Sequence, residues 1–248
     1  MSPRVLILGG TAEARELAAA LDADGVQVIS SLAGRVSRPR LPVGEVRIGG
    51  FGGPEGLADW LRDHPVEAVV DATHPFAERI SASAARACPA AGVELLRLER
   101  TGWSERPGDS WHWVDDLAQA AEAVERLGRR VLLTTGRQGL EAFAGVQSAW
   151  FLIRCVDPPD APLPPHGEVL LDRGPYELSG ELDLIDRHGI DLVVTKDSGG
   201  GQTSAKLAAA RERGLPVVVV RRPPRPRVPT VTTVTDALAW LARAAQPG

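Results

Sequence analysis

Leu192-Val193-Val194-Thr195-Lys196-Asp197-Ser198-Gly199-Gly200-Gly201-Gln202-Thr203 decides the fold class of this 248-residue chain. Its first three residues are continuously apolar, as in a strand covered on both faces. A helical pattern follows, from Ser204 to Arg213. The residues between are therefore the turn at the carboxyl end of a buried strand, where open α/β sheets place their ligands. A lysine, an acid, hydroxyls and three glycines within nine residues are more than a structural turn requires.

The same unit recurs outward from this stretch in both directions. Downstream, Leu215–Val220 reads as the next strand, Thr230–Val234 as a Thr/Val-rich one, and Asp236–Ala245 as the last helix. Upstream, apolar strands at Arg4–Leu8, Val26–Ser30, Glu45–Ile48, Ala68–Val70 and Val93–Leu98 alternate with helices. The helix from Ala12 to Asp22 shows its period in Ala14, Leu17, Ala18 and Leu21. After a loop from Thr101 to Asp109 the alternation restarts, with strands at Trp111–Val114, Arg130–Thr134, Trp150–Val156 and Glu168–Asp172. Alternating strands and amphipathic helices imply parallel sheets with helices on both faces. The expected fold is α/β, with two Rossmann-like domains, residues 1–114 and 115–248, and a ligand cleft between them. Two short segments, His112–Ala118 and Thr233–Ala239, resemble one another and suggest a duplication.

Composition narrows the class. Hydrophobic residues are 44% and charged residues 24%, ordinary for a globular protein. A formal net charge of −4 argues against nucleic acid as a partner but leaves room for a local basic pocket. No apolar run approaches the roughly 20 residues of a membrane span, and the apolar run at the start is too short for a signal peptide. A cytoplasmic protein, monomeric or a small homo-oligomer, is expected. Cys88 and Cys155 lie in apolar patterns without neighbouring ligands, so buried free thiols are expected and no metal site.

The chemistry-bearing residues cluster at strand ends. Gly9-Gly10-Thr11-Ala12-Glu13 stands where a dinucleotide fold puts its phosphate loop, although it lacks the full G-x-G-x-x-G spacing. Two glycines admit a phosphate to the backbone, and the helix N-terminus offers free N–H groups. At the end of the second strand stand Ser30, Ser31 and Arg35, with no acid before Glu45. An acid there would bind ribose hydroxyls and repel a 2′-phosphate. Hydroxyls and a cation suit NADP instead, and Arg38 and Arg40 can serve the same end. Asp71-Ala72-Thr73-His74-Pro75-Phe76-Ala77 closes a central strand, where a nicotinamide is expected. His74 is the candidate acid there, because imidazole titrates near neutrality. In the second half, Arg137, Arg154, Arg173, Lys196 and Arg221 gather at strand ends, and together they form a rim suited to a polyanion.

On these motifs the chain resembles the precorrin-6A reductase family, the NADPH-dependent reductases of cobalamin biosynthesis. The matching segments are Gly9-Gly10-Thr11-x-Glu13, Ser31–Arg35, Asp71–Ala77, Thr134-Thr135-Gly136, Arg173-Gly174-Pro175 and Thr195–Gly199. They span nearly the whole chain. The resemblance implies hydride transfer from NADPH to one double bond of precorrin-6A, with a proton completing the reduction to precorrin-6B. It implies that Gly10, Thr11, Glu13, Ser31, Ala33, Gly34 and Arg35 hold the cofactor, with Gly9 in the same turn. Thr73 and His74 would lie near the nicotinamide. Lys196, Asp197, Ser198 and Gly199 would face the cleft and touch cofactor, substrate or both. The substrate's many carboxylates fit the cationic rim. Water, His74, Asp197 and the substrate's own acids are all candidate proton donors. A non-catalytic NADPH sensor and another two-domain tetrapyrrole enzyme are the competing readings.

Overall fold

The structure, a computed structural model, describes residues 3–34 and 40–244. The chain forms two units. The first runs to Thr101 and resumes at Pro223; the second comprises Gly102–Arg222.

The first unit contains β1 (Arg4–Leu8), α1 (Ala12–Ala23), β2 (Gln27–Leu32), β3 (Glu45–Ile48), α2 (Gly53–Asp63), β4 (Ala68–Asp71), α3 (Glu78–Ala91) and β5 (Glu94–Leu98). Alternate residues of β1 serve opposite faces of the sheet, as strand geometry requires. Val5 and Ile7 pack with the buried stripe of α1, which is Ala14, Leu17, Ala18 and Leu21. Leu6 and Leu8 pack with Leu57 and Leu61 of α2 and with Ala84, Ala87 and Cys88 of α3. That two-sided burial explains why the strands read as unbroken apolar runs.

The second unit contains β6 (Ser110–Val114), α4 (Leu117–Leu127), β7 (Arg130–Leu133), a 3-10 turn at Leu140–Phe143, β8 (Trp150–Cys155), β9 (Gly167–Leu171), α5 (Leu178–His188), β10 (Leu192–Lys196), α6 (Ala205–Glu212) and β11 (Pro216–Val220). Its first crossover, from β7 to β8, carries only the 3-10 turn where the first unit has the twelve-residue α1. Two further elements, β12 (Thr230–Val231) and α7 (Val234–Ala244), return to the first unit.

Each unit is a six-stranded parallel sheet. The orders are β12-β5-β4-β1-β2-β3 and β6-β11-β10-β7-β8-β9. Numbered from β1 and from β7, with β12 and β6 taken as the respective sixth strands, both read 3-2-1-4-5-6, the order of the doubly wound dinucleotide fold. The sixth place is exchanged. β6 follows β5 in sequence yet pairs with β11, with Trp111 opposite Val217. β12 follows β11 yet pairs with β5, with Thr230 opposite Arg97. The helices travel with their strands: Ala237 and Leu241 of α7 join the core of α1 and β1.

This exchange moves the division away from the expected 114/115 boundary. A cut there keeps β6 with the first half, whereas its backbone bonds lie in the second sheet, and it keeps α7 with the second half, whereas its core is in the first. The short resemblance of His112–Ala118 to Thr233–Ala239 does not mark equivalent places. Asp116 caps α4, accepting from Gln119 N at 2.8 Å, while Thr233 Oγ1 accepts from Asp236 N at 3.1 Å. The repeat is one of topology. Both cysteines are buried free thiols, and burial, aided by nearby Asp71, pushes the Cys88 thiol up to about 12. Among the described residues no helix is long and apolar enough to cross a membrane.

Candidate functional site

In the first unit the chain leaves β1 toward β2 on one side, and β4 adjoins β1 on the other. The crevice at such a switch point is where doubly wound sheets take their ligands. The β1–α1 turn is built for close approach. Gly10 adopts φ +114, a conformation side chains rarely accept. Thr11 caps α1, its Oγ1 accepting from Ala14 N at 3.1 Å, and donates to Ala72 O at 2.7 Å. One hydroxyl thus ends one loop and ties it to the other across the switch point.

A pocket opens beside this turn, lined by Gly9, Gly10, Ala14, Arg15, Ser30, Leu32, Arg40 and Pro42. Ser30 Oγ in its wall is buried, with the residue 2% exposed, and has no hydrogen-bond partner among the described residues. A buried hydroxyl without a partner is costly unless a ligand satisfies it. β2 extends to Leu32, so Ser31, expected just beyond a strand ending at Ser30, lies within it beside Ser30. Ser31 contributes its backbone, its carbonyl accepting from Gly9 N at 3.0 Å. Ala33 and Gly34 follow β2, Gly34 with φ +71. Arg35 and Arg38 lie outside the described residues, whereas Arg40 lines the pocket. Glu13, in the first turn of α1, receives Arg100 Nη1 at 2.9 Å.

The Asp71–Ala77 segment is organised by its first residue. Asp71 is 1% exposed. Its Oδ1 accepts from Thr73 N at 3.2 Å and Thr73 Oγ1 at 2.6 Å. Its Oδ2 accepts from Arg225 Nη2 at 3.1 Å, with Arg97 Nε at 3.6 Å. Arg225 also reaches Glu99, Thr73 and Ser81 Oγ. Burial beside a second guanidinium lowers the Arg97 pKa, and Asp71 and Glu99 oppose the shift. His74 follows on this brace. Its Nδ1 accepts from Phe76 N at 3.2 Å. That bond leaves the imidazole proton on Nε2, which can then donate. Neither Arg97 nor Arg225 is legible as a site residue from sequence. The one signal is the charge of Arg97 inside the otherwise apolar run Leu95–Leu98.

In the second unit the equivalent switch point lies between β7 and β10. Lys196 ends β10, and its Nζ donates to Gln138 O at 3.4 Å, in the loop that leaves β7. Burial holds its ammonium pKa below the usual lysine range, with Glu141 opposing. Thr135 Oγ1 is buried in the same loop without a partner among the described residues. Ser198 N turns back to Lys196 O at 2.7 Å, and Gly199 and Gly200 take φ +65 and +70.

Asp197 is placed differently from the proton donor considered from sequence. Oδ1 accepts from Trp103 N at 2.9 Å, and Oδ2 lies 3.2 Å from Arg222 Nε. Gly102 packs against it so closely that a Cβ there would stand 2.5 Å from Oδ2. Both oxygens are engaged, which suits the carboxylate to fixing the loop. Trp103 Nε1 donates to Gly200 O at 2.9 Å, further along the same loop.

Parallel pairing puts the carboxyl ends of β7 to β11 on one edge of the second sheet. Arg137, Arg173, Lys196 and Arg221 lie at or beyond those ends. Arg221 sits over Trp113 and 3.3 Å from Asp115. Arg154 departs from the expected rim of cations. It is buried inside β8, gripped through both terminal nitrogens by Glu181 at 2.5 and 3.1 Å and covered by the Tyr176 ring at 3.9 Å. A guanidinium so held has both terminal nitrogens committed to Glu181 and is withdrawn from solvent.

Residues 4–242 match the family model described as "Precorrin-6x reductase CbiJ/CobK". A "Precorrin-6A reductase" of Rhodococcus erythropolis is 58% identical over 240 residues, covering 96% of this chain and 97% of the relative. A "Precorrin-6A reductase" of Mycobacterium tuberculosis is 50% identical over 241 residues, again covering 96% and 97%. A "Cobalt-precorrin-6A reductase" of Salmonella typhimurium is 32% identical, covering 88% of this chain and 87% of the relative. The solved structure "CobK precorrin-6A reductase" superposes with TM-score 0.93 at 42% identity, over 98% of this chain and 97% of that one.

Proposed function

The chain belongs to the precorrin-6x reductase family and is an oxidoreductase of cobalamin biosynthesis, and from that premise we propose that it reduces precorrin-6A to precorrin-6B with NADPH. Bound NADPH supplies a hydride at nicotinamide C4; the protein's part is to hold, orient and shield. The cobalt-free substrate is favoured by identities of 58% and 50% to relatives named for precorrin-6A, against 32% to one named for its cobalt form.

The observation that carries the cofactor reading is the pocket of Gly9, Gly10, Arg15, Ser30 and Arg40. It offers the N-terminus of α1, an unsatisfied buried hydroxyl and two guanidiniums beside the end of β2, where no acid stands. These features fit a phosphorylated ribose and repel nothing in it. In this reading Gly9, Gly10, Thr11, Ser31, Ala33 and Gly34 form the cradle, with Glu13 at its edge, and Arg35 and Arg40 hold the 2′-phosphate. The second unit lacks the long first helix a pyrophosphate needs, so the dinucleotide belongs to the first.

Thr73 and His74, braced by Asp71, would orient the nicotinamide side. His74 Nε2–H is the proton donor this reading favours, since Asp197 has both oxygens engaged. Arg137, Arg173, Lys196 and Arg221 would bind the macrocycle's carboxylates, with Ser198 and Gly199 presenting backbone beside them. Arg154 serves only to support that edge from beneath. The cytoplasm is the proposed compartment. The test is titration with NADPH and NADH followed by turnover with precorrin-6A. Tenfold or greater preference for NADPH, roughly 1.4 kcal/mol or more, supports the reading; equal affinity removes it.

A further inference from the structure

Lys206 occupies a place where a lysine is unfavourable for three reasons. It is 3% exposed, so its charge is desolvated. It stands in the first turn of α6, where the helix dipole opposes a cation. It also shares its surroundings with another cation, Arg154 of β8. The opposing charge is Glu181 of α5, already gripped by Arg154. The fold's stability gives no account of this residue; an apolar side chain of the same length would suit the position better.

Its contacts supply the account. Lys206 Nζ donates to Thr203 O at 2.6 Å and lies 4.9 Å from the centre of the Trp103 ring. Trp103 in turn holds Asp197 through its backbone N–H and Gly200 O through its indole. Gln202 O accepts from Tyr176 N at 3.3 Å, and Gly201 O from Ser204 Oγ at 2.9 Å. Successive carbonyls from Gly200 to Thr203 are thus each drawn toward the protein body. In a loop with two consecutive left-handed glycines, such anchors replace the stiffness its residues lack.

We infer that Lys206 and Trp103 are positioning residues for the substrate, holding the Lys196–Thr203 loop in the shape that receives the macrocycle's carboxylates. The inference rests on reading that loop as substrate-facing. It implies sensitivity to pH, because burial and Arg154 bring the ammonium's pKa down to about 7 while Glu181 opposes. Above that pH the anchor loses its charge and its hold on Thr203 O weakens.

The experiment compares Lys206→Met and Trp103→Phe with the wild type in NADPH-dependent turnover of precorrin-6A, across neutral to mildly alkaline pH. Lys206→Met is expected to raise the macrocycle KM about tenfold below neutrality while changing the NADPH KM less than about twofold. Its macrocycle KM should no longer vary with pH, whereas that of the wild type should climb through neutrality. Its melting temperature should equal or exceed the wild type's, which separates positioning from structural damage. Trp103→Phe should raise the macrocycle KM and keep the pH slope. A wild-type macrocycle KM in Lys206→Met, or an equal loss for both substrates, overturns the inference. Should Lys206→Met not fold, an unchanged macrocycle KM in Trp103→Phe overturns it alone. A wild type that binds precorrin-6A by its absorbance change yet does not oxidise NADPH would fail the proposed reaction, while weaker macrocycle binding by the variants would still uphold the loop's role.

Discussion

Asp71 and Arg225 stand 154 residues apart in sequence and 3.1 Å apart in the first unit. The second unit has a counterpart. Asp197, just beyond the fourth strand of its sheet, is held by Trp103 and Arg222. In both cases the acid at the end of the fourth strand is gripped from a segment that borders the exchanged sixth strand. The exchange therefore places long-range clamps on both strand-end loops proposed to meet ligands.

Removing the first clamp should be expensive. Arg225→Met leaves Asp71 buried with only Arg97 near it, and Glu99 without its closest partner. A loss of roughly 3 kcal/mol is expected from breaking a buried pair on one side. Equilibrium unfolding in denaturant measures it, and a loss below about 1 kcal/mol would show that Arg97 alone suffices.

Cofactor choice should depend on cations beside β2. Arg35→Ala and Arg40→Ala are each expected to weaken NADPH about tenfold more than NADH, by loss of a charge-assisted phosphate contact. Fluorescence titration with both nucleotides checks this. Equal weakening of the two would assign the arginine another role.

Lys196→Ala should lower kcat/KM for the macrocycle by roughly 10- to 100-fold, since it removes a partly buried ammonium at the switch point of the second sheet. Steady-state rates decide the matter, and an unchanged rate would make this residue a loop anchor to Gln138 O and nothing more.

Stability should carry the mark of Lys206. Its folded pKa of about 7 lies below the ordinary lysine value of 10.5. Between these values the unfolded chain binds the extra proton, so the contribution to stability rises with pH across that window. The penalty is fully present below the folded pKa and is relieved above it. Subtracting the pH profile of Lys206→Met from that of the wild type should leave a rise on the order of a few kcal/mol. A flat difference would mean that the ammonium is well solvated or fully paired.

Much of the fold was legible because its strands are buried on both faces and read as unbroken apolar runs. The period read in Ala14, Leu17, Ala18 and Leu21 is the buried stripe of α1, which runs from Ala12 to Ala23. The exchange of β6 and β12 was not legible, because local pattern fixes a strand's existence and says little about which sheet it joins. Thr230–Val231 carries two residues of pairing and Trp111 alternates like any edge strand. The strand-end motifs drew attention to the loops at the switch points of both sheets. Their supporting residues escaped notice for a physical reason: Arg225, Trp103 and Lys206 act from outside the motifs, and only the folded chain brings them together. Arg154 misled because a cation in a strand-end position looks the same in sequence whether it is exposed or locked to Glu181.

One measurement tests directly whether this chain uses NADPH to reduce precorrin-6A. Purified protein mixed anaerobically with precorrin-6A and NADPH should consume the nucleotide's absorbance in step with macrocycle reduction, one equivalent for each precorrin-6B formed, and far more slowly with NADH. NADPH that binds without being oxidised in the presence of precorrin-6A, or oxidation at the same rate with NADH, would contradict the account.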